Sequence, residues 1–182
     1  MVESLLKHAR SVPWTMDALE GRRQAIAAAH ARGASGVETV TALTALADDI
    51  LRDLYALEYA GTFSPAGVVL VALGGYGRRE LAPYSDIDLM FLYEPLHERE
   101  ARAVSAAILH VLWDLGFQVG HSVRTMADCR SMGQTDFTIR TALMEARWLA
   151  GDQTLFDEFT RTYREQVSGK REIGRASCRE RV

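Results

Sequence analysis

Two short apolar runs, VVLVAL at 68–73 and DIDLMFLY at 86–93, constrain this chain more than any other feature in it. Both are dominated by aliphatic and β-branched side chains and bounded by turn residues, and the first is apolar throughout, as a strand buried on both faces would be. The first runs straight into GGYG (74–77), and ten residues (76–85) separate the glycine pair from Asp86. Residues two apart on a strand share a face. Asp86 and Asp88 therefore present both carboxylates to one side, while Ile87 and Leu89 face the other. The chain must build a sheet and then find covers for it.

Helical segments supply those covers. Residues 16–33 are rich in Ala and Arg and stop at Gly33. Val40, Leu43, Ala47, Ile50, Leu54 and Leu57 recur at spacings of three and four, which predicts a long amphipathic helix to about residue 60 with Asp48, Asp49, Arg52, Asp53 and Glu58 on its solvated side. GTFSPAG (61–67) is a loop. A second amphipathic helix spans 97–116 and closes at Gly116, FQVGHSVR (117–124) reads as a third strand, and Thr125 caps a short helix through Cys129. From Asp136 to about Val167 the stripes Ile139, Leu143, Ala146, Leu149 and Leu155, Phe159, Tyr163 predict helix in two pieces, broken at AGDQ (150–153). This order predicts an α+β fold, a small mixed sheet with helices, flanked by N- and C-terminal helices.

The expected organisation is an N-terminal helical region (1–62), a core (63–130), a following helical region (131–171) and a tail (172–182). That tail, EIGRASCRERV, lacks apolar periodicity and matches one reading frame of a common sequencing adapter. The expectation is that the gene was cut near Arg171 and the chain is an N-terminal piece of something longer. The start, MVESLLKHARSVPW, has no signal-peptide apolar segment, and GVVLVALGG is far too short to span a bilayer. Cys129 and Cys178 have no metal-ligand spacing. A cytoplasmic protein without a membrane partner is expected. The net charge of −3 argues against a basic nucleic-acid surface but not against a local nucleotide site.

The loop and the carboxylate pair carry chemistry together. Gly74, Gly75 and Gly77 leave backbone amides open to close approach by phosphate oxygens. A short helix starting at Gly77–Arg78 would aim its dipole at the same target, and Arg78 or Arg79 could add a charge-assisted contact. Two neighbouring carboxylates repel unless one is protonated or a cation compensates them. Hard cations such as Mg²⁺ favour carboxylate and phosphate oxygens. Strand, phosphate cradle and metal-binding strand suit two-metal nucleotidyl transfer. The stretch lacks the Gly-Lys-Ser/Thr ending of a P-loop, and Glu80 stands where a dinucleotide fingerprint has its third glycine.

GGYGRRELAPYSDIDL resembles the signature of the nucleotidyltransferase superfamily that includes DNA polymerase beta. Its wording is most similar to the N-terminal domain of the bacterial PII uridylyltransferase/uridylyl-removing family. LWDLGFQVGHSVRT (112–125) and DFTIRTALMEARWLAGD (136–152) resemble the segments that follow. The resemblance implies a polymerase-beta-like nucleotidyltransferase core and transfer of UMP from UTP to a tyrosine of the signalling protein PII, with release of pyrophosphate. It implies Gly74 and Gly75 on the triphosphate and Asp86 and Asp88 on Mg²⁺ (or Mn²⁺); Ser85, directly before the aspartates, is either a further phosphate contact or a residue that caps or turns the chain. The family's phosphohydrolase and glutamine-sensing motifs do not occur in this sequence.

Members of the superfamily commonly add a third carboxylate from a later strand. Here the third strand offers His121, either catalytic or an ordinary histidine at the edge of the core. Asp136 is the other candidate, with a competing role as helix N-cap. Arg124 either meets phosphate or covers the sheet edge. The alternatives are a related nucleotidyltransferase with another acceptor or base, and a nucleotide-binding regulatory module without catalysis.

Overall fold

The computed structural model describes residues 14–59 and 66–169. The start of the chain, most of the 61–67 loop and the 172–182 tail lie outside these residues. Helix α1 (Met16–Ala31) begins at Thr15, whose hydroxyl accepts from the Ala18 amide at 3.2 Å, and gives way to Gly33 at φ +108°. Helix α2 (Gly36–Tyr59) starts on a reciprocal cap: Ser35 Oγ accepts from the Glu38 amide, and the Glu38 carboxylate accepts from the Ser35 amide at 2.7 Å.

The sheet is mixed and has four strands: β1 (Val68–Ala72), β2 (Ile87–Tyr93), β3 (Val119–Arg124) and β4 (Arg147–Gly151), in the order β3-β2-β1-β4. Strand β1 is antiparallel to both β2 and β4. Strands β2 and β3 are parallel, joined by a 3₁₀ turn (Pro95–His97) and the crossover helix α4 (Glu98–Asp114). Between β1 and β2 lies a single helical turn, α3 (Gly74–Gly77).

Both faces of the sheet are covered. On one, Leu70, Ala72, Leu89 and Phe91 pack against Ile50, Leu51 and Leu54 of α2 and Val104, Ile108 and Leu112 of α4. On the other, Val69, Val71, Met90 and Leu92 pack against Cys129 of α5 (Met126–Thr135), Leu143 of α6 (Phe137–Met144) and Leu155, Phe159 and Tyr163 of α7 (Gln153–Gly169). The α+β fold predicted from the sequence is the one observed. Among the described residues no helix is long and apolar enough to cross a membrane.

Two readings change. The stripe through Ile139, Leu143, Ala146 and Leu149 predicts continuous helix, but α6 stops at Met144 and residues Arg147–Gly151 form β4. Strand β1 is fully buried, so the backbone polar groups on the side away from β2 need a partner, and β4 supplies it with a register shift between Leu70 and Val71. Asp152 then opens α7 by accepting from the Leu155 amide at 3.0 Å. The second change is Asp48. It is buried beneath the glycine turn rather than on the solvated side of α2.

Candidate functional site

The glycine turn follows directly from β1. The Leu73 amide donates to the Asp88 carbonyl at 2.9 Å, which holds the end of β1 against the start of β2. The chain then turns through Gly74 at φ +55°, a conformation that costs little only without a Cβ. The turn starts at Gly74, three residues earlier than the expected helix start. The amides of Gly77, Arg78, Arg79 and Glu80 donate to the carbonyls of Leu73, Gly74, Tyr76 and Gly75. The first-turn amides of Gly74 and Gly75 precede these bonds, at the donor end of the turn. Arg79 and Tyr84, at φ +66° and +65°, reverse the chain on its way to Asp86.

Asp88 faces this turn. A Cβ on Gly74 would lie 3.1 Å from Asp88 Oδ2, and a Cβ on Gly120 would collide with Asp88 Oδ1. Gly120 is the register partner of Asp88 on the parallel strand β3. The carboxylate therefore occupies a slot between two glycines. Partial burial raises its pKa above the usual carboxylate range, and the neighbouring Asp86 raises it further. Asp86 is exposed just before β2. The two carboxylates form a hard-oxygen donor pair with uncompensated negative charge, which fits a divalent cation. Among the described residues no cluster of three or more His, Cys, Asp or Glu side chains is arranged to hold a metal.

The other sequence-predicted residues divide. Ser85, in the turn before Asp86, donates its hydroxyl to the Ala82 carbonyl at 2.8 Å. Arg78 is exposed but committed to Glu80 at 2.9 Å and Glu145 at 2.7 Å. Gly77 is buried, its amide is used by Leu73, and a Cβ there would collide with the Glu145 carbonyl. Its glycine is needed for packing, not for an open approach to phosphate.

His121 pairs with Leu89, so it lies on the opposite face of the sheet from Asp88, exposed and edge-on to Trp113 at 6.1 Å. The β3 residues on Asp88's face are Gly120, Ser122 and Arg124. Arg124 pairs with Leu92, four residues along from Gly120, or about 13 Å at strand rise. The Asp136 carboxylate caps α6, accepting from the Thr138 and Ile139 amides at 2.7 and 3.1 Å. The geometry thus brings together Gly74, Gly75, Asp86 and Asp88, and separates His121 and Arg124 from them.

Sequence reasoning missed Gly120, whose only signal is its place opposite Asp88 once the strands are in register. It also missed a buried polar group behind the turn. Arg147 of β4 forms a fork on Asp48, with Nη1 to Oδ2 at 2.8 Å and Nη2 to Oδ1 at 2.9 Å. Nothing local in the sequence signals it, because the partners are 99 residues apart.

A family model described as glutamate-ammonia ligase adenylyltransferase matches residues 19–125, more than half of the chain. The chain is also similar to curated proteins named bifunctional uridylyltransferase/uridylyl-removing enzyme. That of Caulobacter vibrioides is 42% identical over 141 residues, covering 74% of this chain and 15% of that protein. That of Bordetella parapertussis is 49% identical over 117 residues, covering 64% and 13%. That of Azospirillum brasilense is 42% identical over 157 residues, covering 82% and 17%. The chain therefore spans only a small part of the length of these relatives. The family match takes in the glycine turn, both aspartates and Gly120, while β4 and helices α5 to α7 follow it, and the chain belongs to the glutamate-ammonia ligase adenylyltransferase family, with the α+β architecture of a nucleotidyltransferase domain.

Proposed function

We propose that this chain carries the nucleotidyl-transfer site of a uridylyltransferase, moving UMP from UTP to a tyrosine hydroxyl of the signalling protein PII. The observation that carries the reading is the Asp88 carboxylate, set between Gly74 of the turn and Gly120 of β3 with Asp86 beside it. The uridylyltransferase names of the relatives support the choice of uridylyl as the transferred group, and the choice of PII rests on the resemblance of the sequence motifs alone. Asp86 and Asp88 would hold Mg²⁺ or Mn²⁺, which when bound neutralises phosphate charge and acidifies the attacking hydroxyl. The Gly74 and Gly75 amides would receive the phosphate oxygens. The hydroxyl oxygen forms a bond to the α-phosphorus, the bond from that phosphorus to the bridging oxygen breaks, pyrophosphate leaves, and the hydroxyl proton passes to solvent.

A second reading is adenylyl transfer, favoured by the description of the matching family model. Calorimetric titration of UTP and then ATP into the full chain with Mg²⁺, beside Asp88→Asn, separates the two. Metal-dependent UTP binding that weakens in the variant, followed by transfer of labelled UMP to PII, is expected. Preference for ATP moves the assignment to adenylyl transfer. Binding without transfer identifies a regulatory module. No binding of either nucleotide by a folded sample overturns the proposal.

A further inference from the structure

The glycine turn cannot hold its own shape. A four-residue helical turn has too few internal bonds to be stable alone, and glycines at its start widen the conformations open to it. Its order must come from behind.

Arg147 supplies contacts there. Besides its fork on Asp48, its Nε donates to the Gly77 carbonyl at 3.2 Å and its Nη2 to the Tyr76 carbonyl at 3.1 Å. These carbonyls lie at the C-terminal end of the turn, away from the Gly74 and Gly75 amides. Tyr76 is buried, with its hydroxyl donating to Asp48 Oδ1 at 2.7 Å and its ring 5.2 Å from the Arg147 guanidinium. Arg52 adds a contact to Asp48 Oδ2 at 3.4 Å and donates from Nε to the Leu149 carbonyl of β4 at 3.3 Å. One carboxylate from α2 thus ties together the edge strand and the middle of the glycine turn.

Stability alone does not explain the choice of residues, since a buried ion pair is often no better for stability than apolar side chains of similar volume. Directional bonds do something that apolar packing does not: they fix the rotation of the turn about its axis. That rotation decides which way the Gly74 and Gly75 amides point.

Building on the nucleotidyl-transfer reading of the site, we infer that Asp48, Arg147 and Tyr76 are positioning residues that clamp the glycine turn from behind and set its amides toward the phosphate chain of the substrate nucleotide. None of the three touches the nucleotide. The fork matters as well as the charge, because lysine offers a single point donor where arginine spans both carboxylate oxygens and the turn carbonyls.

The test uses the full chain as wild type, Arg147→Lys and Tyr76→Phe, with two readouts beside thermal melting. Hydrogen exchange reports the amides of Gly77, Arg78, Arg79 and Glu80, which are bonded within the turn. Calorimetry reports the affinity for UTP with Mg²⁺. For a clamp, exchange of these amides quickens by about tenfold or more in Arg147→Lys while β1 and β2 amides keep their wild-type protection. Nucleotide affinity falls by about tenfold, the usual scale for losing an outer-shell partner. Tyr76→Phe, which keeps the ring, shifts both readouts in the same direction and less far, and it decides the matter if Arg147→Lys does not fold. Turn exchange that stays at the wild-type rate, or that rises only in step with β1 and β2, overturns the inference. If the wild type binds no nucleotide, the functional reading fails by itself, and the exchange arm still judges whether the clamp orders the turn.

Discussion

Asp88 stands in a gap made by two missing side chains, and this makes Gly120 a sharper probe than Asp88 itself. A methyl at position 120 meets only the far end of the Asp88 side chain, which can swing away at little cost. Gly120→Ala is therefore expected to fold with stability within about 1 kcal/mol of wild type, since alanine is also the better strand residue. Its affinity for Mg²⁺-nucleotide should fall with the carboxylate displaced, as calorimetry beside a denaturant titration would read. Asp88 also carries a pH signature. Its folded pKa lies above its unfolded one, so the folded state holds the proton more tightly and stability falls as pH rises through the folded pKa. Asp88→Asn removes that loss. The variant should be more stable than wild type at neutral pH, by less than about 1 kcal/mol because the group is largely exposed and screened. The gap should close below about pH 4, the ordinary carboxylate value. Urea titrations at pH 3.5 and pH 7 without metal would check the sign.

Caps decide where the covering helices begin, and two candidates for chemistry are better read at this scale. Asp136→Ala removes two amide acceptances at the start of α6 and is expected to cost about 1 kcal/mol while leaving nucleotide affinity unchanged. A catalytic Asp136 would give the reverse pattern. Thr125→Ala should cost a similar amount, because Thr125 and Asp128 satisfy each other's amides at the start of α5. Such elements were legible because their signals are local. VVLVA is β-branched and apolar, Thr125 and Asp136 precede helices, and the Asp86–Asp88 pair shows its common face by spacing alone. Strand β4 was not legible. Its Leu149 continues the helical stripe of α6, and only the free side of β1, brought near by the fold, selects the extended form. Asp48 failed in the same way: its position on α2 reads as solvated until Arg147 arrives from the edge of the sheet. The glycine turn and the aspartate pair could be read from sequence, whereas Gly120 opposite Asp88 and the Asp48–Arg147 support behind the turn could not.

The sheet divides the molecule into two cores with different duties. One joins β1 and β2 to α2 and α4, and the other joins them to α5, α6 and α7. Phe91 lies wholly within the first, so Phe91→Ala is expected to cost about 3–5 kcal/mol, while Phe137→Ser on the exposed side of α6 should stay within about 0.5 kcal/mol. Chemical denaturation would separate them by a large change in midpoint. The clamp behind the glycine turn also sets a clock on synthesis. Gly77 and its donor Arg147 are 70 residues apart. At about 5–20 residues per second, the turn leaves the peptidyl-transferase centre some 4–14 s before its clamp is made. The aspartate pair and β2, complete at Tyr93, follow within the first 16 of those 70 residues, so for most of the interval they are present and the strand that carries Arg147 is not. On the proposed reading, a nascent chain carries the residues assigned to phosphate and metal before it has the strand that would aim them, and competence would arrive only with β4.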